Sequence, residues 1–178
     1  MIYVFLADGF EETEAICPLD ILRRAGLEVY TVSVSGRKSV LSSRKIPVEA
    51  DLLLEELTEK TPEGVVLPGG MPGAKNLNIP AVRKTVQACA DAGGVVGAIC
   101  AAPFILGEMG LLRCRNATCY PGFENSLEGA TYRKEPVVED GNLVTAIGMG
   151  ASVRFGLALV RLLKDGETAE RIALSIFA

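Results

Sequence analysis

Val95-Val96-Gly97-Ala98-Ile99-Cys100-Ala101-Ala102-Pro103 decides how this chain is read. An apolar run meets a cysteine and continues at once into small residues and a proline, which predicts a buried strand over 94–99 passing directly into a helix over 101–109. A residue at such an elbow takes a strained backbone conformation, and its neighbours must be small for the chain to fold back. Ala98 and Ala102, two positions to either side of Cys100, meet that requirement. Pro103 falls in the first helical turn, where a missing N–H costs little. A thiol placed there faces free N–H groups and the positive end of the helix dipole, and the expectation is a pKa lowered from the ordinary value of roughly 8.5. Most free cysteines are simply buried. An elbow exposes its central side chain, so Cys100 is the candidate nucleophile, and Cys17, Cys89, Cys114 and Cys119 keep the plainer reading, with Cys119 worth noting because it ends a candidate strand.

Outward from this elbow, strands and helices alternate. Strands are expected over 1–7, 27–34, 64–67 and 94–99, short strands around Val40 and Val48, a fifth short strand over 117–119, and a hairpin pairing 137–139 with 143–146 through Asp140-Gly141-Asn142. Helices are expected over 10–24, 81–92, 101–109, 151–163 and 167–177. Strands that are apolar throughout indicate a mostly parallel sheet covered on both faces, an α/β fold in one domain spanning 1–178. In such folds the working site lies beyond the carboxyl ends of the strands. Glu14, Gly69-Gly70 and Cys100 each follow a strand and fall on that edge.

Composition narrows the chemistry. The chain has 178 residues, 49% of them apolar, a net charge of −4 and five cysteines without a regular framework. That balance gives no basic face for nucleic acid, and a stretch of about 18 uncharged apolar residues that could span a membrane is missing. A disulfide scaffold is not expected, and the expected location is the cytoplasm. There is no histidine. A self-contained Ser-His-Asp or Cys-His triad is therefore excluded, and with no Cys-x-x-Cys pair neither a metal nor another cofactor is expected.

Donors for an oxyanion are expected at the backbone N–H groups of Gly70 and Ala101. Pro-Gly is also a common turn signal, so the glycines have a plainer reading. Glu11, Glu12 and Glu14 all sit early in the first helix, where acids ordinarily complement the dipole. A buried carboxyl beside sulfur would hold its proton and share it. Residue physics does not choose among the three, although Pro18 withholds the helical donor from the Glu14 carbonyl and suggests a kink there.

Asp8-Gly9-Phe10-Glu11-Glu12-Thr13-Glu14, Leu22-Arg23-Arg24-Ala25-Gly26, Leu67-Pro68-Gly69-Gly70 and Ala98-Ile99-Cys100-Ala101-Ala102-Pro103 resemble the DJ-one/ThiJ/PfpI superfamily, on its DJ-one/ThiJ side. The resemblance covers essentially the whole chain. It implies a flavodoxin-like three-layer sandwich with a nucleophile elbow, commonly a homodimer. It places an oxidisable nucleophile at Cys100, a protonated partner at Glu14, backbone donors at Gly70 and Ala101, an auxiliary pocket at Gly69, Cys119 and Tyr120, and a dimer-side arginine at Arg44.

The implied roles are oxidative-stress protection and cofactor-free glyoxalase or deglycase action on small carbonyl compounds such as methylglyoxal and glyoxal. A redox sensor or chaperone acting through oxidation of Cys100 is the alternative. The chain departs from several relatives in carrying Tyr120, within Cys119-Tyr120-Pro121, where they carry a histidine; a phenol with an ordinary pKa near 10 donates a hydrogen bond but is a poor base. An amidase or peptidase would need a histidine from another molecule. The thiamine-biosynthesis label carried by some ThiJ relatives finds no support in a thiazole phosphate site.

Overall fold

The computed structural model describes residues 1–58 and 60–178. In chain order the elements are β1 (Ile2–Leu6), α1 (Glu12–Arg24), β2 (Val29–Ser33), β3 (Ser39–Leu41), β4 (Pro47–Glu49), β5 (Leu52–Leu53), β6 (Gly64–Leu67), α2 (Gly73–Leu77), α3 (Pro80–Asp91), β7 (Val95–Ile99), α4 (Pro103–Glu108), β8 (Asn116–Ala117), β9 (Thr131–Tyr132), β10 (Val137–Asp140), β11 (Leu143–Ala146), α5 (Ser152–Leu163) and α6 (Gly166–Ser175). A seven-stranded sheet runs β10-β11-β7-β6-β1-β2-β5, and within it only β10 is antiparallel to its neighbour.

Burial on both faces explains the continuous apolar strands. Ile2, Val4 and Leu6 of β1 enter a core shared with α1, α5 and α6, while Tyr3, Phe5 and Ala7 enter a second core under α2, α3 and α4. The result is the expected three-layer α/β arrangement. Its inner strand order β2-β1-β6-β7-β11 reverses direction between β1 and β6, and in open α/β sheets such a switch point opens a crevice at the carboxyl edge.

The ends of the elements refine the sequence reading. The 117–119 strand is replaced by β8, which pairs with β9 in a separate two-stranded ribbon. The fifth central strand is β11, pairing in parallel with β7 through Leu143↔Val96 to Ala146↔Ile99. Helix α1 runs unbroken through Pro18, so the expected kink does not end it. No described helix is long and apolar enough to cross a membrane.

Candidate active site

Four strand ends converge on Cys100. It directly follows β7, and its N–H donates to the Ala146 carbonyl at the end of β11, at 2.8 Å. Its φ is 63°, a left-handed conformation uncommon for a residue with a Cβ. The structure thus contains the strained elbow that the small flanking residues predicted. Helix α4 starts at Pro103, not Ala101, so residues 100–102 form turns. The side chain is half-buried.

The three acidic residues at the start of α1 divide into three positions. Glu11 caps the helix, its carboxylate accepting from the Glu14 N–H at 2.7 Å. Glu12 accepts from the Ser43 hydroxyl at 3.1 Å. Glu14 turns inward and is 1% exposed. Its Oε2 accepts from the Gly69 N–H at 2.9 Å, and its buried Oε1 has no hydrogen-bond partner among the described residues. Burial pushes this carboxyl up to about 7, in spite of the Cys100 side chain and the Gly69 N–H, which favour its charge.

Gly69 permits the approach of these two groups. A Cβ at that position would lie 2.5 Å from Glu14 Oε2, 2.6 Å from Cys100 Cβ and 2.9 Å from the Ile99 carbonyl oxygen. Gly70, at φ +87°, is equally confined, since a Cβ there would stand 2.6 Å from the Glu11 nitrogen and from the Gly9 oxygen. The loops after β1 and β6 can therefore touch only because neither glycine carries a side chain.

The expected lowering of the Cys100 thiol is corrected by this geometry. Burial and the facing Glu14 carboxylate push it up, to about 12, against the favourable N–H groups of Gly70 and Ala101. With α4 displaced to Pro103, the sulfur has two individual amides in place of a helix end, and these do not outweigh desolvation plus a neighbouring negative charge. The carboxylate part of that push disappears when Glu14 takes up a proton. The protonation of Glu14 therefore bears on that of Cys100.

The remaining sequence candidates divide. Tyr120 is brought to the site: its N–H donates to the Cys100 carbonyl at 2.8 Å, and its side chain is half exposed. Cys119 is completely buried in the second core, and burial raises its thiol to about 11. Arg44 is exposed in the turn joining β3 to β4.

Sequence reasoning missed Gly148 and Met149. The Met149 N–H faces the Glu14 carboxylate, and Gly148 lies between Glu14 and the Tyr120 ring. The signal was present in Gly148-Met149-Gly150 just beyond the 143–146 strand. It is recognisable only once β11 is aligned in parallel beside β7, which carries its carboxyl end to the same edge.

A DJ-1/PfpI family model matches residues 1–162. The Parkinson disease protein 7 homolog of Danio rerio is 35% identical, covering 95% of this chain and 92% of its own length. A Caenorhabditis elegans protein named glutathione-independent glyoxalase is 29% identical over 88% of this chain and 84% of its own. Among solved structures, oxidized DJ-1 from Toxoplasma gondii superposes with a TM-score of 0.95 at 32% identity, covering 99% of this chain and 97% of that one. A DJ-1 superfamily protein from Salmonella typhimurium, in a cysteine-to-alanine mutant, gives 0.93 at 38% identity, with 99% and 97% covered. In fold and in sequence over most of its length, the chain belongs to the DJ-1/PfpI family.

Proposed function

We propose that the chain is a thiol-dependent enzyme converting 2-oxoaldehydes such as methylglyoxal or glyoxal to 2-hydroxy acids without a cofactor. The observation that carries this reading is the buried Glu14 carboxyl, set against Cys100 beside Gly69 and raised to about 7 by burial. A base tuned near operating pH is the group a chain without histidine needs.

Glu14 takes the thiol proton as Cys100 sulfur adds to the aldehyde carbon, and the new oxyanion is held by the Gly70 and Ala101 N–H groups. After handing the thiol proton to that oxyanion, the ionised carboxyl moves the proton of the same carbon to the neighbouring carbonyl carbon through an enediol, leaving a thioester. Water cleaves the thioester to the 2-hydroxy acid and frees the thiol. The sum is 2-oxoaldehyde plus water to 2-hydroxy acid, with no external oxidant. The name of the Caenorhabditis elegans relative supports this class of activity. Deglycation of carbonyl adducts would use the same groups.

Incubating the pure protein with methylglyoxal and measuring lactate tests the reading. Turnover is expected to fall at least about 1,000-fold in Cys100→Ala and about 100-fold in Glu14→Gln. Equal turnover by wild type and Cys100→Ala would overturn it. The rate should rise as pH increases through about 7, where Glu14 becomes ionised and able to accept the thiol proton.

A second reading, a redox sensor in a stress response, is supported by the N–H groups facing sulfur and by the similarity to an oxidized DJ-1. Oxygens added to Cys100 would meet those donors and the protonated Glu14. Mass spectrometry under graded peroxide checks it: oxidation of Cys100 no sooner than Cys17 or Cys89 excludes it. For either role we infer a homodimer, with Arg44 on the hairpin reaching the partner's pocket. Light scattering that finds only monomer would contradict that assembly.

A further inference from the structure

Glu11 occupies the N-cap of α1, a position ordinarily taken by Ser, Thr, Asp or Asn, whose short side chains reach the first free N–H groups. Its carboxylate accepts from the Glu14 N–H at 2.7 Å. Glu14 is then the third helical residue, the place from which a Glu commonly reaches back to the N–H of the cap. Here that return is intercepted. The Glu11 N–H donates to the Gly69 carbonyl at 3.0 Å, and the Gly69 N–H donates to Glu14 Oε2 at 2.9 Å. Gly69 thus takes both partners of the reciprocal cap and leaves the Glu14 carboxyl directed inward. Gly70 keeps the approach open, since a Cβ there would stand 2.6 Å from the Glu11 nitrogen.

We propose that Glu11 is the positioning residue of the reactive pair: its cap fixes the turn that directs Glu14 inward, and its negative charge opposes a second negative charge on Glu14. The proposal deepens the reading of Glu14 as the base, and its bearing on turnover rests on that reading. The groups facing Glu14 come from four places. Glu11 lies on the same helix, the Gly69 N–H on the loop after β6, Cys100 on the elbow after β7, and the Met149 N–H after β11, with Tyr120 beyond Gly148. Burial and the Glu11 charge oppose ionisation of Glu14, while Cys100 and the two N–H groups favour it. A residue that only caps acts through its acceptor oxygen. Glutamine at this position separates the two roles, because it keeps an acceptor and loses the charge.

Carbon-13 NMR of protein carrying carboxyl-labelled glutamate follows the Glu14 titration directly, its resonance being the one lost in Glu14→Gln. Wild type should titrate at about 7. In Glu11→Gln the ionised-to-protonated ratio of Glu14 at pH 7 is expected to rise about 5-fold, the scale of one unit charge a few ångströms away in water. Glu11→Asp, which keeps charge and acceptor, should stay within about twofold of wild type. Glu11→Ala should show the same rise and, in addition, about 5-fold faster hydrogen exchange at the Glu14 N–H than Glu11→Gln, having lost the acceptor. Equal exchange in the Ala and Gln variants would overturn the positioning role.

In turnover, kcat/KM at pH 6 relative to pH 8 should rise about 3-fold in Glu11→Gln, because the base ionises earlier. The titration needs no turnover, so a wild type inactive on aldehydes ends the enzymatic reading while NMR still decides the role of Glu11. If Glu11→Gln does not fold by circular dichroism, Glu11→Asn, a strong cap without charge, takes its place. A Glu14 ratio unchanged within about twofold in the folded uncharged variant overturns the proposal. So does a wild-type Glu14 that titrates at the ordinary value of 4.5.

Discussion

Cys89 and Cys100 are separated by one strand, and burial pushes both thiols up, yet for different reasons. Cys89 ends its life in the chain as a core atom: it is fully buried on α3, its thiol faces the Val95 carbonyl at 3.7 Å, and desolvation alone raises it to about 11. Cys100 is half-buried and raised to about 12 by burial together with the Glu14 carboxylate, opposed by two backbone amides. Only the second shift contains a part that another group can switch off. A raised thiol is therefore inert when dry surroundings are the whole cause, and addressable when a titrating neighbour is part of it.

The largest expected contrast is chemical. Under graded peroxide in the native state, Cys100 should oxidise roughly 100-fold faster than Cys89, read by peptide mass spectrometry, because access and a proton acceptor exist at only one of them. Comparable rates would erase the distinction.

Gly69→Ala should convert the site into something closer to the inert case. Its added methyl would meet Glu14 Oε2 at 2.5 Å and Cys100 Cβ at 2.6 Å, forcing the pair apart. The expected outcome is about a 100-fold loss of aldehyde turnover, since displacements of about 1 Å cost that much, with a loss of about 1–3 kcal/mol in urea unfolding.

Glu14→Gln sharpens the comparison through pH. The folded carboxyl binds its proton up to about 7, above the ordinary value of 4.5. The stability it provides is thus complete below that ordinary value and is lost as pH rises through about 7. Removing the charge should leave stability similar at acid pH and higher than wild type by roughly 3 kcal/mol at pH 8, measured by denaturant unfolding. A wild type equally stable, relative to the variant, at both pH values would show that Glu14 is not raised.

The smallest effect belongs to the control. Cys89→Ala should cost about 1–2 kcal/mol through the cavity left on α3 and leave aldehyde turnover unaltered.

Much of the architecture could be read before folding, because it rests on local rules. Apolar strands such as 64–67 and 95–99 declare burial on both faces, and the small residues around Cys100 declare an elbow that the structure realises at φ 63°. The less legible parts depend on pairing between distant segments. The 117–119 strand was misjudged because its partner, β9, is a short ribbon strand with no pattern of its own. Gly148 was overlooked because its position requires the register of β11 against β7.

The same division holds at the reactive pair. Amino-acid order alone determined the layered fold, the elbow at Cys100 and the absence of any imidazole, since periodicity, side-chain size and composition are properties of the chain itself. Which of three neighbouring carboxylates turns inward, how far burial moves its proton affinity, and whether the thiol is lowered or raised were decided only in three dimensions. Those quantities depend on desolvation and on polar groups brought together across 55 residues, as between Glu14 and the Gly69 N–H, and no local pattern encodes them.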